Sequence, residues 1–184
     1  VLMSSSHDLA RIALFSALIS VLGLLPQLLV PYVGVPITLQ TLGVMLAGVI
    51  LGPKHGFLSV LLFVFVVLMG APFLSGGRGG LGVLETPSVG FIIGFPIAAF
   101  AVGLAMKCLD RIAVFWASLI SSIIGGIIVL YVPGIIGLAF KTDGSIVNAA
   151  TICIVYVPGD VIKAILTAFI ARAIHRALPS AIKS

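Results

Sequence analysis

The sequence predicts an all-α, polytopic integral membrane protein with about six transmembrane helices, forming a single membrane domain over residues 1–184. Three observations carry that prediction. Hydrophobic residues make up 61% of the chain and charged residues 8%, where soluble domains carry roughly 25%, and the mean hydropathy is +1.36. The apolar residues gather into runs approaching the ~20 needed to cross a bilayer as a helix. The cations then fall almost entirely at alternate ends of those runs, as the positive-inside rule requires.

The first span covers residues 8–25 and stops at Pro26. Pro26, Pro31, Gly34 and Pro36 make a proline-rich connection, with Tyr32 at an interface position. The second span is 37–51, ended by Gly52-Pro53-Lys54-His55-Gly56, and the third is 57–70. Residues 71–88 form a loop that holds Gly76-Gly77-Arg78-Gly79-Gly80 and Glu85-Thr86-Pro87. The fourth span, 89–106, closes at Lys107 to Arg111, and the fifth, 112–131, is interrupted at Val132-Pro133-Gly134. Between Gly134 and Val157 the pattern is ambiguous. Residues 145–156 are too short to cross and read as a half-helix or a surface piece, with a seventh span if they cross. The last span is 159–178.

With the N-terminus inside, Arg11, Lys54, Lys107, Arg111, Arg172, Arg176 and Lys183 are all cytoplasmic. Arg78 and Lys141 are external, near Glu85 and Asp143. The expectation is a multi-pass cell-membrane protein with both termini cytoplasmic. Val1-Leu2 ahead of Met3 read as an appended remnant and Ser4-Ser5-Ser6 as a flexible start; the first apolar run is itself long enough to span, so no separate cleavable signal is needed. Small residues let membrane helices approach closely. Gly125-Gly126 read as internal packing, whereas Ala10, Ala13, Ala17 and Ser20 on the first span suit either internal packing or a partner subunit.

Several functions are excluded or disfavoured. The net charge of +5 is scattered rather than clustered, which argues against nucleic-acid binding. Cys108 and Cys153 lack metal-ligand or CxxC spacing and read as free thiols. No GxxxxGK[ST] phosphate loop is present, so the chain should not hydrolyse ATP itself, and there is no HExxH. His7, His55 and His175 all fall at cytoplasmic ends, leaving no base for a serine nucleophile at membrane depth. An intramembrane aspartyl protease needs two buried aspartates, and Gly159-Asp160 supplies one. The chain is expected to be no enzyme, with no catalytic residue, metal or cofactor.

Two constellations remain. Asp160 and Lys163 lie inside an apolar stretch, where charges are costly and usually paired or functional. Three residues apart, they share one helix face. They either neutralise each other at a helix start or offer an acceptor and a donor to a polar ligand. In the second constellation, Gly77 and Gly79 flank Arg78 in a loop whose backbone could approach an anion closely. Arg78 could clamp a carboxylate by a two-pronged hydrogen bond, or simply be solvated. On the expected topology all these residues lie at the same membrane surface.

At this point the residues resemble a known family. Val35-Pro36-Ile37-Thr38-Leu39-Gln40-Thr41-Leu42-Gly43-Val44-Met45-Leu46-Ala47-Gly48, continuing to Leu51-Gly52-Pro53-Lys54, closely resembles the signature of the BioY family, the biotin-specific S components of energy-coupling factor (ECF) transporters. Gly70-Ala71-Pro72-Phe73 with Gly76 to Gly80 looks like its glycine-rich loop, and Pro158-Gly159-Asp160-Val161-Ile162-Lys163-Ala164 matches its last-helix motif. The resemblance implies a six-helix S-component fold in a prokaryotic plasma membrane that binds biotin from outside. It also implies partners: a transmembrane coupling subunit and a pair of ABC-type ATPases. Ala13 and Ala17 look like the small-residue motif that docks on the coupling subunit. The chain departs from the pattern at Thr86-Pro87-Ser88-Val89-Gly90-Phe91, where the family usually has Gly-Pro-Thr/Ser-Gly-Gly-Tyr, and Glu85 adds a negative charge beside it. Ile92 stands where some relatives carry a ligand-contacting arginine, and Arg78 where some have asparagine.

Biotin's ureido ring presents two N–H donors and one carbonyl, and its valerate ends in a carboxylate. The resemblance implies that Asp160 accepts from a ureido N–H, that Lys163 donates to the carbonyl or the carboxylate, and that Arg78 meets the carboxylate or covers the mouth, taking over part of the missing arginine's role. The proline-rich segment from Pro26 to Pro36 reads as a lid, with Leu28, Leu29, Val30, Tyr32 and Val35 over the thiophane ring, or as an ordered interfacial loop. The competing expectations are an S component for another small vitamin or acid such as lipoate, and a non-transporting membrane scaffold.

Overall fold

A computed structural model of the chain describes residues 2–27, 35–142, 144–178 and 182. Residues 28–34, which make up most of the expected lid, and Asp143 and Lys183 of the charge map lie outside the described residues. The regular structure that is described is helical, apart from bridge positions at Ile37 and in an antiparallel bridge between Leu74 and Arg78. In order along the chain come α1 (Leu2–Leu24), α2 (Gln40–Leu68), a 3-10 turn (Leu81–Glu85), α3 (Val89–Cys108) and α4 (Val114–Ile123). A π-turn (Ile124–Val129) leads into α5 (Leu130–Lys141); α6 (Ile146–Cys153) then passes through a 3-10 turn (Ile154–Tyr156) into α7 (Val157–Ala177).

Five helical runs are long and apolar enough to cross a membrane: 6–24, 40–68, 89–108, 114–141 and 146–177. The second of them is folded on itself. Gly52 leaves helical geometry with φ 77° and ψ −178°, a backbone that glycine adopts freely and other residues do not. Beyond it, a Cβ placed on Gly56 would lie 2.9 Å from the Ala47 carbonyl oxygen and 3.1 Å from the Gly48 Cα. In a straight helix eight residues rise about 12 Å, so the chain must double back. The arms 40–51 and 53–68 correspond to the expected second and third spans. Pro53 opens the second arm, where a missing N–H costs nothing, so this helix begins earlier than 57.

The fifth expected span also differs. It does not stop at 131; helix continues through the π-turn and Pro133 to Lys141. Pro133 lacks the N–H that would reach back to Val129, and Val129 is where the π-turn ends, so the break in the ladder is absorbed there. Residues 146–153 are likewise neither a separate half-helix nor a seventh span. Ser145 caps α6 by accepting a hydrogen bond from the Asn148 backbone N–H at 3.2 Å, and α6 runs on into α7.

The contacts orient the bundle. Asp8 meets His55 at 3.7 Å, and Leu51, Met106, Ala117 and Ala171 share one buried cluster, so the start of α1 and the end of α7 lie at the same end. Arg11, Lys54, Lys107, Arg111, Arg172 and Arg176 gather there by their helix positions, whereas Arg78, Lys141 and Asp160 sit toward the other end. Outward-facing Leu14, Phe65, Ile128, Phe140 and Phe169 are exposed and suit contact with lipid rather than water.

Small residues hold the helices close. A Cβ on Gly125 would fall 2.4 Å from the Val102 backbone nitrogen, and one on Gly126 would fall 2.5 Å from the Met45 side chain. These glycines serve internal packing. On α1, Ala10, Ala13 and Ala17 are exposed on one face. Ser20 is not on it: it is buried and donates to the Ser16 carbonyl at 3.0 Å.

Candidate functional site

The first two turns of α7 bring Asp160 and Lys163 onto its inward face, where they are 4% and 6% exposed. Three residues of separation place them side by side, and Lys163 Nζ donates to Asp160 Oδ1 at 2.8 Å. Helix continues back from α7 to Ile146, so Asp160 does not sit at a free helix start and the dipole alone does not account for it. Two neutral hydroxyls complete the cluster. Thr41, on the first turn of α2, donates to Asp160 Oδ1 at 3.0 Å and accepts from Lys163 Nζ at 3.0 Å. Tyr131, on the first turn of α5, donates to Asp160 Oδ2 at 2.7 Å.

This cluster forms one wall of a cavity with about 580 Å³ of space, counting its open mouth. Its lining is mostly apolar with a few placed polar groups, the composition of small-molecule sites. Leu74, Phe91, Ile92, Phe95 and Leu130 supply the apolar surface, and Thr38, Gln40, Ser75, Ser88 and Tyr156 line it too. Val35 and Ile37, from the segment before α2, contribute to the walls. Tyr156 donates to the Val35 carbonyl at 2.7 Å, and Gln40 Nε2 donates to the Phe73 carbonyl at 3.1 Å. Those bonds fix two connecting segments against the helices.

Arg78 lines the same cavity. Its Nε donates to the Ser75 carbonyl at 3.1 Å and its Nη1 to Ser88 Oγ at 3.4 Å. A guanidinium carries five N–H groups, so three have no hydrogen-bond partner among the described residues and stay open on the cavity side. Burial pushes the Arg78 pKa below its ordinary value, though an arginine stays cationic. Gly77 and Gly79 are not among the cavity-lining residues. Gly77 turns the loop with φ +69°, while Gly79 packs against the Ala71 carbonyl. Glu85 also lies off the cavity, paired with Lys141 at 2.6 Å. Lys141 holds its carboxyl below the usual carboxylate range, chiefly by that hydrogen bond.

The structure therefore brings Asp160, Lys163 and Arg78 to one cavity and leaves Gly77 and Gly79 as loop-shaping residues. Ala13 and Ala17 stand apart on the outer face of α1. Sequence spacing alone does not single out Thr41 or Tyr131. Thr41 lies within the motif from Val35 to Gly48, which was a signal; Tyr131 carried none beyond being a hydroxyl in an apolar run.

The profile of the BioY family matches residues 2–180. A protein of Bacillus subtilis (strain 168) described as "Probable biotin transporter BioY" is 48% identical over 171 residues, covering 93% of this chain and 91% of that one. The "Biotin transporter BioY" of Rhodobacter capsulatus is 44% identical over 185 residues, covering 96% and 97%. Among solved structures, a crystal structure of the S-component for biotin from an ECF-type ABC transporter superposes with a TM-score of 0.89 at 34% identity, covering 96% of this chain and 94% of that one. The chain belongs to the BioY family.

Proposed function

We propose that this BioY-family chain is the substrate-capturing S component of an ECF-type transporter and binds biotin in the cavity anchored by Asp160 and Lys163. The observation that carries the reading is the hydrogen-bonding capacity the anchor leaves open. A carboxylate has about four lone-pair sites, and three of Asp160's are taken by Lys163, Thr41 and Tyr131. An ammonium has three N–H donors, and two of Lys163's are engaged. Among the described residues, one acceptor on Oδ2 and one donor on Lys163 remain within the same cluster. A ureido ring offers the complement, an N–H next to a carbonyl. The apolar walls suit the thiophane ring and the valerate chain. Arg78 takes the carboxylate by charge-assisted hydrogen bonds, standing in for the arginine that Ile92 replaces.

Capture is one part of transport. The chain lacks a phosphate loop, so energy comes from partners: a transmembrane coupling subunit and a pair of ABC-type ATPases. The exposed face of α1 with Ala10, Ala13 and Ala17 is the docking surface for the coupling subunit, because small residues admit close helix approach. The cation distribution supports cytoplasmic termini and a cavity that opens to the outside.

Equilibrium binding of labelled biotin to the detergent-solubilised protein tests the reading, with lipoate as competitor. Biotin should bind tightly, and lipoate, which has no ureido group, should fail to displace it. Equal competition by lipoate would overturn the ligand assignment. Ala17→Leu should keep biotin binding and lose uptake in cells that supply the partner subunits; normal uptake would move the docking surface elsewhere.

A further inference from the structure

We infer that Tyr131 is a positioning residue for ligand recognition, fixing from outside the cavity which lone pair of Asp160 faces the ureido ring. The inference rests on the biotin reading above. Tyr131 is 8% exposed and is not among the cavity-lining residues, yet its hydroxyl donates to Asp160 Oδ2 at 2.7 Å. The terminal torsion of an aspartate is broad and roughly two-fold. Oδ1 is held by Lys163 and Thr41, and Tyr131 is the partner of the other oxygen among the described residues. With that hydroxyl in place, Oδ2 keeps a single open site. Without it, only the two bonds at Oδ1 hold the carboxylate, and Oδ2 offers two less closely aimed sites.

The aim of Tyr131 is itself built into the fold. The π-turn ends at Val129, two residues before Tyr131. One extra residue in a turn rotates the following side chains by about 100° around the helix axis. That register places Leu130 on the cavity wall and Tyr131 behind Asp160. The Tyr131 ring meets the cavity-lining Phe91 edge-on, with centroids 6.0 Å apart at 84°, which limits its own motion.

The test measures affinities of wild type and Tyr131→Phe for biotin and for two analogues in which oxygen replaces one or the other ureido N–H. A hydrogen bond to a charged group contributes enough that losing the N–H read by Asp160 should weaken wild-type binding about tenfold to a hundredfold. Tyr131→Phe should bind biotin more weakly, and the penalty for the missing N–H should shrink to within a few-fold. A penalty unchanged by the substitution, with all ligands weakened by one factor, would show a merely structural tyrosine and overturn the inference. So would a wild type that binds both analogues as well as biotin. Failure of the wild type to bind biotin at all would instead sink the functional reading. If the variant does not fold, 19F spectra of 3-fluorotyrosine-labelled wild type, assigned with Tyr32→Phe and Tyr156→Phe, give a second readout. The Tyr131 signal should shift with biotin and not with the analogue that binds weakly; equal shifts with both would refute the positioning role.

Discussion

Asp160→Asn separates two consequences of the buried pair that a single binding measurement would merge. The substitution preserves shape but leaves the Lys163 ammonium, 6% exposed, with neutral acceptors only. Breaking a buried ion pair costs about 3–5 kcal/mol of stability. Lys163→Met is milder, because the remaining carboxylate keeps two donors, Thr41 and Tyr131. The loss of affinity is a different quantity, since the unpaired charge is present with and without ligand. It reflects the missing charged hydrogen bond to biotin, about 1.5–3 kcal/mol, or roughly ten- to hundredfold. The double variant Asp160→Asn/Lys163→Met removes both charges and should recover most of the lost melting temperature, because a neutral pair needs no compensation. Its biotin affinity should stay low. Thermal melting in detergent and equilibrium binding, run on all four proteins, give the answer. Near-native affinity in the double variant would refute the site, and a double variant as unstable as Asp160→Asn would refute mutual compensation as the reason the pair tolerates burial.

Three further outcomes follow from the same geometry. Arg78→Ala should weaken biotin more than biotin methyl ester, because the guanidinium is assigned to the carboxylate; equal losses in competition binding would reassign it. Gly52→Ala forces a side chain onto φ 77° and should lower the melting temperature, at a cost of more than about 1 kcal/mol, while the protein that folds still binds biotin. Glu85→Gln should leave biotin affinity unchanged. Its carboxyl is depressed by Lys141, so the pair's small contribution is complete at neutral pH and is lost as pH falls from the usual carboxylate range near 4 through the lowered folded value. Any melting difference from wild type at pH 7 should therefore vanish at low pH.

The fold and part of the site were legible because they rest on local rules. Charges three residues apart must share a helix face, so Asp160 and Lys163 were found together. The glycine-proline break at Gly52-Pro53 marked the reversal between two helices. Pro133 misled for an equally local reason: a proline inside an apolar run reads as a stop, but here the π-turn upstream had already opened the ladder that Pro133 would have broken. Residues 146–153 looked too short because the 3-10 turn that joins them to α7 leaves no pattern in the sequence.

By itself the sequence determined a multi-pass helical membrane protein of about six spans, with a charged pair on its last helix and an arginine in its glycine loop, since apolar length and residue spacing act within single helices. Only the tertiary structure decided what that pair is bonded to. Thr41 and Tyr131 reach Asp160 across 119 and 29 residues of chain, and such contacts are set by helix register and close packing. The two glycines of the π-turn and the rotation it imposes aim a tyrosine that, in sequence, was one apolar-run residue among many. Which lone pair stays open for a ligand is decided at that level.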